Sequence, residues 1–126
     1  MKRKFAFDWG GSLENNESLR QIARLLYANG YEVWIIPAAG ATPSDETYFA
    51  WLHAINVQFT GFRRVLVNET CDPVYTAQGK VQAMLETGCT VLYDDNEHNI
   101  EAVRQAGLEG ILVNRIDDVP KPKEIS

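Results

Sequence analysis

The sequence predicts an α/β fold: one three-layer domain in which an open parallel sheet of about five strands is covered by helices on both faces. Three observations predict it. Short apolar runs recur along the chain, rich in β-branched and aromatic residues. Between them lie stretches with apolar residues at helical spacing and capping residues at their ends. The length, 126 residues, suits a single domain that buries about two thirds of its unfolded surface. Short connections and right-handed crossovers then leave few topologies.

Each element follows from local chemistry. Residues 3–8 read as a strand with Phe5 and Phe7 on one face. A helix is predicted over 16–29, where Leu19, Ile22, Ala23 and Leu26 form one stripe; Asn15 or Asn16 caps its start and Gly30 supplies a left-handed stop. YEVWII, 31–36, is the second strand, with Trp34 in it, and Pro37 and Gly40 punctuate the loop that follows. Ser44 is placed to cap a helix over 45–55, whose stripe of Tyr48, Trp51, Leu52 and Ile55 is read as core and not as a base-stacking platform. RVLVN, 64–68, is the third strand, and a polar loop over 69–78 leads into a short helix, 79–87, with Val81, Met84 and Leu85 inward. TVLYD, 90–94, a helix from about 97 to 106, and GILVN, 110–114, complete the pattern. The expected division is a domain over 1–115 and a charged flexible tail over 116–126.

Composition excludes several classes. The net charge of −5 argues against general nucleic-acid binding through phosphates. The basic groups Lys2–Arg3–Lys4 and Arg63–Arg64 flank predicted strands and read as solvated ends. Apolar runs are too short to cross a bilayer, and Asp8 interrupts the start MKRKFAF before a signal-peptide core can form. Cys71 and Cys89 form no CxxC pair and read as reduced thiols, which predicts a cytoplasmic protein.

Open parallel sheets bind ligands beyond the carboxyl ends of their strands, where the strand order reverses. Two of the predicted strands end in aspartate there: the first in Asp8, the fourth in Asp94–Asp95. If the two strands are neighbours, an oxygen-only cluster forms, a donor set that suits Mg²⁺. Each aspartate alone is also an ordinary turn residue after a strand.

At these residues the chain resembles the haloacid dehalogenase (HAD) superfamily. FAFDWGGSL, 5–13, is similar to its first motif, an apolar strand followed by Asp-x-Asp-Gly-Thr/Ser. TVLYDDNEHNIEAVRQAGLEGILV, 90–113, is similar to its fourth, with paired aspartates and Asn99 four residues after Asp95; Lys80 stands where the third-motif lysine would be. The resemblance implies a Rossmann-like sheet of strand order 5-4-1-2-3. It also implies a phosphatase chemistry with Mg²⁺ as cofactor. Asp8 would be the nucleophile that becomes an aspartyl-phosphate, and Lys80 would neutralise Asp8 and the phosphate. Asp8, the carbonyl of Gly10, Asp94 and Asp95 would hold the metal, with Asn99 supporting them from behind. Gly11 and Ser12 would cradle phosphate oxygens. A carboxylate nucleophile splits one hard hydrolysis into two easier displacements, and metal and ammonium charge offset the repulsion of two anions.

Two departures stand out. Gly10 occupies the place of the second aspartate, which in phosphatases of the family protonates the leaving oxygen and later activates water. Losing positioned acid–base help costs on the order of 10²- to 10⁴-fold. Pro37 occupies the place of the second-motif Ser or Thr, and proline has neither hydroxyl nor N–H. Three readings follow: a degenerate module that binds Mg²⁺ and a phospho-ligand or partner protein without turnover, a hydrolase of esters whose leaving group needs no proton, or a hydrolase with a replacement acid. Glu14, Asp45, Glu69 and Asp72 are the candidates for that acid, and Thr42 or Ser44 for the missing hydroxyl.

The spacing between motifs leaves no room for a cap domain, so the site is expected to be open. Specificity would then come from a large phosphorylated substrate (a small molecule or a macromolecule), a partner or a second subunit. His53 reads as a boundary residue and His98 as exposed at a helix start, and Asp117–Asp118 as solvated. Trp9, beside the nucleophile position, can stack on an aryl group or fill the space that Gly10 leaves.

Overall fold

The central strand is β1, Phe5–Phe7, whose three residues are all buried. It pairs in parallel with β2, Val33–Ile35, on one side and with β6, Val91–Asp94, on the other. In this computed structural model, which describes residues 2–114 and 117–126, β4 (Gly61–Phe62) joins β2, and β7 (Glu109–Leu112) joins β6. The result is a five-stranded parallel sheet of order β4-β2-β1-β6-β7. A two-stranded parallel ribbon, β3 (Ala38–Ala39) with β5 (Val65–Leu66), extends beyond it.

Side chains alternate across β1, so its two faces build two cores. Phe5 and Phe7, with Val33, Ile35, Val91 and Tyr93, pack on α1 (Glu17–Ala28) through Leu19, Ile22, Ala23 and Leu26, and on α2 (Asp45–Ala54) through Tyr48 and Leu52. Ala6, Ile36 and Leu92 face the other way, onto Ala83 and Met84 of α3 (Pro73–Thr87) and Ile100 and Val103 of α4 (Glu97–Gln105). These are the three layers that the alternating pattern predicts: an α/β, Rossmann-like arrangement with a sheet buried on both faces.

Helix starts match their capping chemistry. Asn16 accepts from Leu19 N–H, Ser44 from Thr47 N–H and Asn96 from Asn99 N–H. Three expectations need correction. The strand expected at 64–68 does not join the main sheet: Gly61–Phe62 does so, and 65–66 pair with Ala38–Ala39 instead. Gly61 is required there, because Trp34 lies against it and a Cβ would stand 2.3 Å from that ring. Secondly, α3 begins six residues before the expected 79, since Asp72 accepts from Val74 N–H and Pro73 occupies the first turn, where its missing N–H costs nothing. The longer helix turns Leu85 outward, 61% exposed, whereas Met84 is buried.

The third correction concerns the C-terminal segment. The expected boundary at 115/116 lies outside the described residues. Residues 117–126, expected as a flexible tail, pack across α1: Val119 is buried, its N–H donates to Ser18 Oγ, and Asn16 Nδ2 donates to Asn114 O and Asp117 O. Arg3 closes the arrangement by donating from Nε and Nη2 to the two oxygens of Glu124, both at 2.6 Å. Among the described residues, both cysteines are free and no helix is long and apolar enough to cross a membrane.

Candidate functional site

Because β1 and β6 are neighbours, their carboxyl ends deliver Asp8 and Asp94 to one place. α3 crosses behind and inserts Lys80, which is fully buried. Its ammonium has three protons and three acceptors: Asp8 Oδ1 at 2.8 Å, Asp94 Oδ2 at 3.1 Å and Ile36 O at 2.6 Å. A buried ammonium is tolerated only when satisfied in this way. Burial pulls its pKa down, but Asp8 and Asp94 raise it by more, so Lys80 stays charged.

Asp94 is fixed from every side. Besides Lys80, Oδ2 accepts from Asn99 Nδ2 at 3.0 Å, and Oδ1 accepts from Asn96 N–H at 2.9 Å. Asn99 is itself buried on the first turn of α4. Asp8 is held less completely: Oδ1 takes Lys80, while among the described residues Oδ2 has Ser12 Oγ alone, 3.5 Å away and too long to satisfy it. Asp95 is exposed, and a carboxylate oxygen from each of Asp8, Asp94 and Asp95 lies within 4.8 Å of the others.

Three carboxylates against one ammonium leave an excess of negative charge. Burial, and then the nearby Asp94 charge, push the Asp8 carboxyl up to about 7, against the pull of Lys80. Asp95 is raised as well, by desolvation first and then by Asp94. An oxygen-only set with surplus negative charge fits a hard divalent cation such as Mg²⁺.

The turn after Asp8 is wide. Leu13 N–H donates to Asp8 O at 3.3 Å and Glu14 N–H to Trp9 O at 3.0 Å, so residues 9–13 loop out between i and i+5 partners. Gly11 makes this turn feasible: its φ is +72°, and a Cβ would lie 2.1 Å from Asp95 Oδ2. Gly10 is the opposite case, exposed on the turn, with no atom within 4 Å of where a Cβ would point. Ser12 is buried beneath it.

Of the sequence-derived candidates, Asp8, Gly11, Ser12, Lys80, Asp94, Asp95 and Asn99 are therefore brought together, with Gly10 on the same turn. Pro37 is buried at the end of β2, where it provides only a carbonyl, used by Val65 N–H. Of the replacement acids, Glu14 reaches the turn: Gly11 N–H points at its Oε1, 3.4 Å away. Asp45 pairs with Arg64 at 2.9 Å, Asp72 caps α3, and Glu69 is exposed. Ser44 is spent as the α2 cap, and Thr42 is exposed. His53 and His98 are exposed; His98 lines a separate groove on α4 with Glu97, Arg104 and Leu112.

One residue at the site carries no sequence signal beyond its place in an apolar stripe. Tyr48 of α2 is 4% exposed, its ring edge-on to Trp9 and covered by the Arg64 guanidinium. Burial raises its phenol pKa, Arg64 lowers it, and the charges of Asp8, Lys80 and Glu14 also reach it. Trp51, from the same stripe, is 41% exposed and stacks on Trp9, with centroids 5.6 Å apart and planes 15° from parallel.

No family model and no curated protein matches the chain. Among solved structures, the crystal structure of an uncharacterized protein from Corynebacterium glutamicum ATCC 13032 Kitasato superposes with a TM-score of 0.61. The match covers 90% of this chain and 86% of that one, at 18% identity. A likeness at that identity speaks for the fold, and the chain shares its overall architecture with this neighbour.

Proposed function

We propose that the chain is a capless, HAD-like, Mg²⁺-dependent phosphohydrolase, a phosphatase of impaired or atypical activity working through an aspartyl-phosphate on Asp8. The observation that carries this reading is the buried Lys80 joined to both Asp8 and Asp94, beside Asp95. Asp8 Oδ2 is the carboxylate oxygen left free enough to attack phosphorus, while Oδ1 is anchored. Asp8, Asp94 and Asp95 would hold Mg²⁺, with the Gly10 carbonyl as a further ligand, and Asn99 fixes Asp94. Bound Mg²⁺ would supply charge that lets a phosphate dianion approach a carboxylate. Lys80 offsets the same repulsion from the protein side, and Gly11 N–H and Ser12 would hold phosphate oxygens.

The substrate is proposed to be a phosphorylated small molecule or macromolecule, with a partner or second subunit covering the open site. Free cysteines favour a cytoplasmic location. A second reading, a non-catalytic module that binds a phospho-ligand or a partner protein, draws support from Gly10 and Pro37, which leave the turn and the β2 end without side-chain acid or hydroxyl.

Hydrolysis of p-nitrophenyl phosphate with and without Mg²⁺ tests the proposal. Turnover that needs Mg²⁺ and vanishes in Asp8→Asn is the expected outcome. Mg²⁺ binding without turnover of any phosphate ester would establish the binding module instead.

A further inference from the structure

An alkyl phosphate is hydrolysed quickly only if its leaving oxygen receives a proton as the P–O bond breaks. At this site Asp94 is spent on Lys80, Asn99 and Asn96 N–H, and Asp8 is the attacking group. Asp95 rests against Gly11 within the acidic cluster. Glu14 stands apart from them. Its carboxylate turns back to Gly11 N–H, 3.4 Å away, a donor that a bound phosphate would take over, next to the open space above Gly10.

The other side of Glu14 faces a groove of about 260 Å³, lined by Trp9, Glu14, Arg20, Trp51, Ala54 and Ile55. Arg20 does not neutralise the carboxylate directly; its Nε and Nη2 donate to Leu13 O and Glu14 O, which pins the end of the turn. The walls that remain are apolar and aromatic, with the Trp9–Trp51 stack as the largest surface. Trp9, which shares this groove with Glu14, directly follows Asp8 and stands edge-on to Tyr48, so the groove adjoins the nucleophile's end of β1.

We infer that Glu14 is the acid–base residue of the proposed reaction, taking the role that Gly10 cannot, and that the Trp9–Trp51 groove receives the departing alcohol, a compact aryl or apolar one. This inference rests on the proposed phosphatase reading. In the first step Asp8 Oδ2 forms a bond to phosphorus and the P–O bond to the alcohol breaks. The electron pair goes to the leaving oxygen, which takes the proton of the Glu14 carboxylic acid. In the second step water attacks the phosphorus of the aspartyl-phosphate and gives a proton to the Glu14 carboxylate. The acyl–phosphate bond breaks, which frees inorganic phosphate and restores Asp8.

Three esters separate the roles: p-nitrophenyl phosphate, whose leaving group departs unprotonated, and ethyl and 2-phenylethyl phosphate, whose leaving groups do not. Glu14→Gln is expected to lower kcat/KM for both alkyl esters about 10²- to 10⁴-fold and to affect the nitrophenyl ester far less. Adding Gly10→Asp to Glu14→Gln should recover alkyl ester turnover, since that position has room for a side chain. Trp51→Ala should lower kcat/KM for the phenylethyl ester by tenfold or so and for the ethyl ester far less. If Asp8→Asn abolishes turnover but Glu14→Gln treats alkyl and nitrophenyl esters alike, the role of Glu14 is overturned and the phosphatase reading stands. Equal losses on both alkyl esters in Trp51→Ala would remove the groove from the inference. Turnover that survives Asp8→Asn, or no Mg²⁺-dependent turnover of any of the three, would overturn the reading and this inference together.

Discussion

The two strand ends that meet at the acidic centre are equipped differently. At the end of β6, Asp94 is wholly buried and has both oxygens bound by Lys80, Asn99 and Asn96. At the end of β1, Asp8 has one oxygen firmly bound and the other only loosely, on a glycine-bearing turn in which Gly10 is exposed. The first end is an anchor and the second is the less restrained. The difference teaches that one strand end can be fixed completely while its neighbour keeps a weakly satisfied carboxylate oxygen. Gly10 and Pro37, where the sequence departs from the motifs it resembles, lie on the β1 turn and just past β2, away from the anchor.

Stability measurements can break that contrast. The largest effect belongs to the anchor: Asp94→Ala leaves Lys80 with a carboxylate missing and Asn99 unpaired, and should destabilise the fold by about 3–5 kcal/mol in denaturant melts. Next is Asn99→Ala, which removes one hydrogen bond to a buried charge. A loss of about 1–3 kcal/mol is expected, with Mg²⁺ affinity falling about 10- to 100-fold by calorimetry. If either variant were as stable as the wild type, β6 would not be the fixed end.

The β1 end should respond with the opposite sign. Burial raises the Asp8 pKa to about 7, so its ionisation opposes folding. Stability from the protonated form is complete below the ordinary aspartate range, near pH 4, and is lost as pH rises through the folded value. Metal-free protein should therefore lose thermal stability between about pH 5 and pH 8, and Asp8→Asn should remove that loss. At pH 8 the variant is expected to gain on the order of 1 kcal/mol over wild type, because it no longer buries a charge there. A lower Tm for Asp8→Asn at pH 8 would make Asp8 a second anchor.

Far from both ends, Glu124→Gln should cost about 1 kcal/mol by loosening the Arg3 pair. Arg3 holds the Glu124 carboxyl below its usual range, so this contribution is present at neutral pH and lost as pH falls through the lowered value. A thermal melt series from neutral to acidic pH checks it.

Much of this was legible in the sequence because the signals were local. Asn16 and Ser44 cap their helices with side chains alone. The runs around Asp8 and Asp94 were strands buried on both faces, which read as continuous apolar stretches. Their adjacency is only a condition in the sequence, and the place of Lys80 comes with the family resemblance; the fold brings the three together. What escaped reading lacked a period or a local cause. Two-residue strands such as Gly61–Phe62 carry no alternation, and Gly61 is selected by Trp34, distant in sequence. Docking of residues 117–126 depends on Arg3 and Ser18, again far along the chain. Asp72–Pro73 did carry the start signal of α3, a cap followed by a first-turn proline. Tyr48 and Trp51 read as one stripe, yet one is buried against Trp9 and Phe62 and the other faces the groove, a distinction set by tertiary packing.

The most direct measurement is an anomalous difference map from crystals soaked in Mn²⁺ as a substitute for Mg²⁺. The account predicts one strong peak coordinated by Asp8 and Asp94, beside Asp95. A fully soaked crystal with no peak there would contradict it, and would leave the buried Lys80 network as a purely structural device.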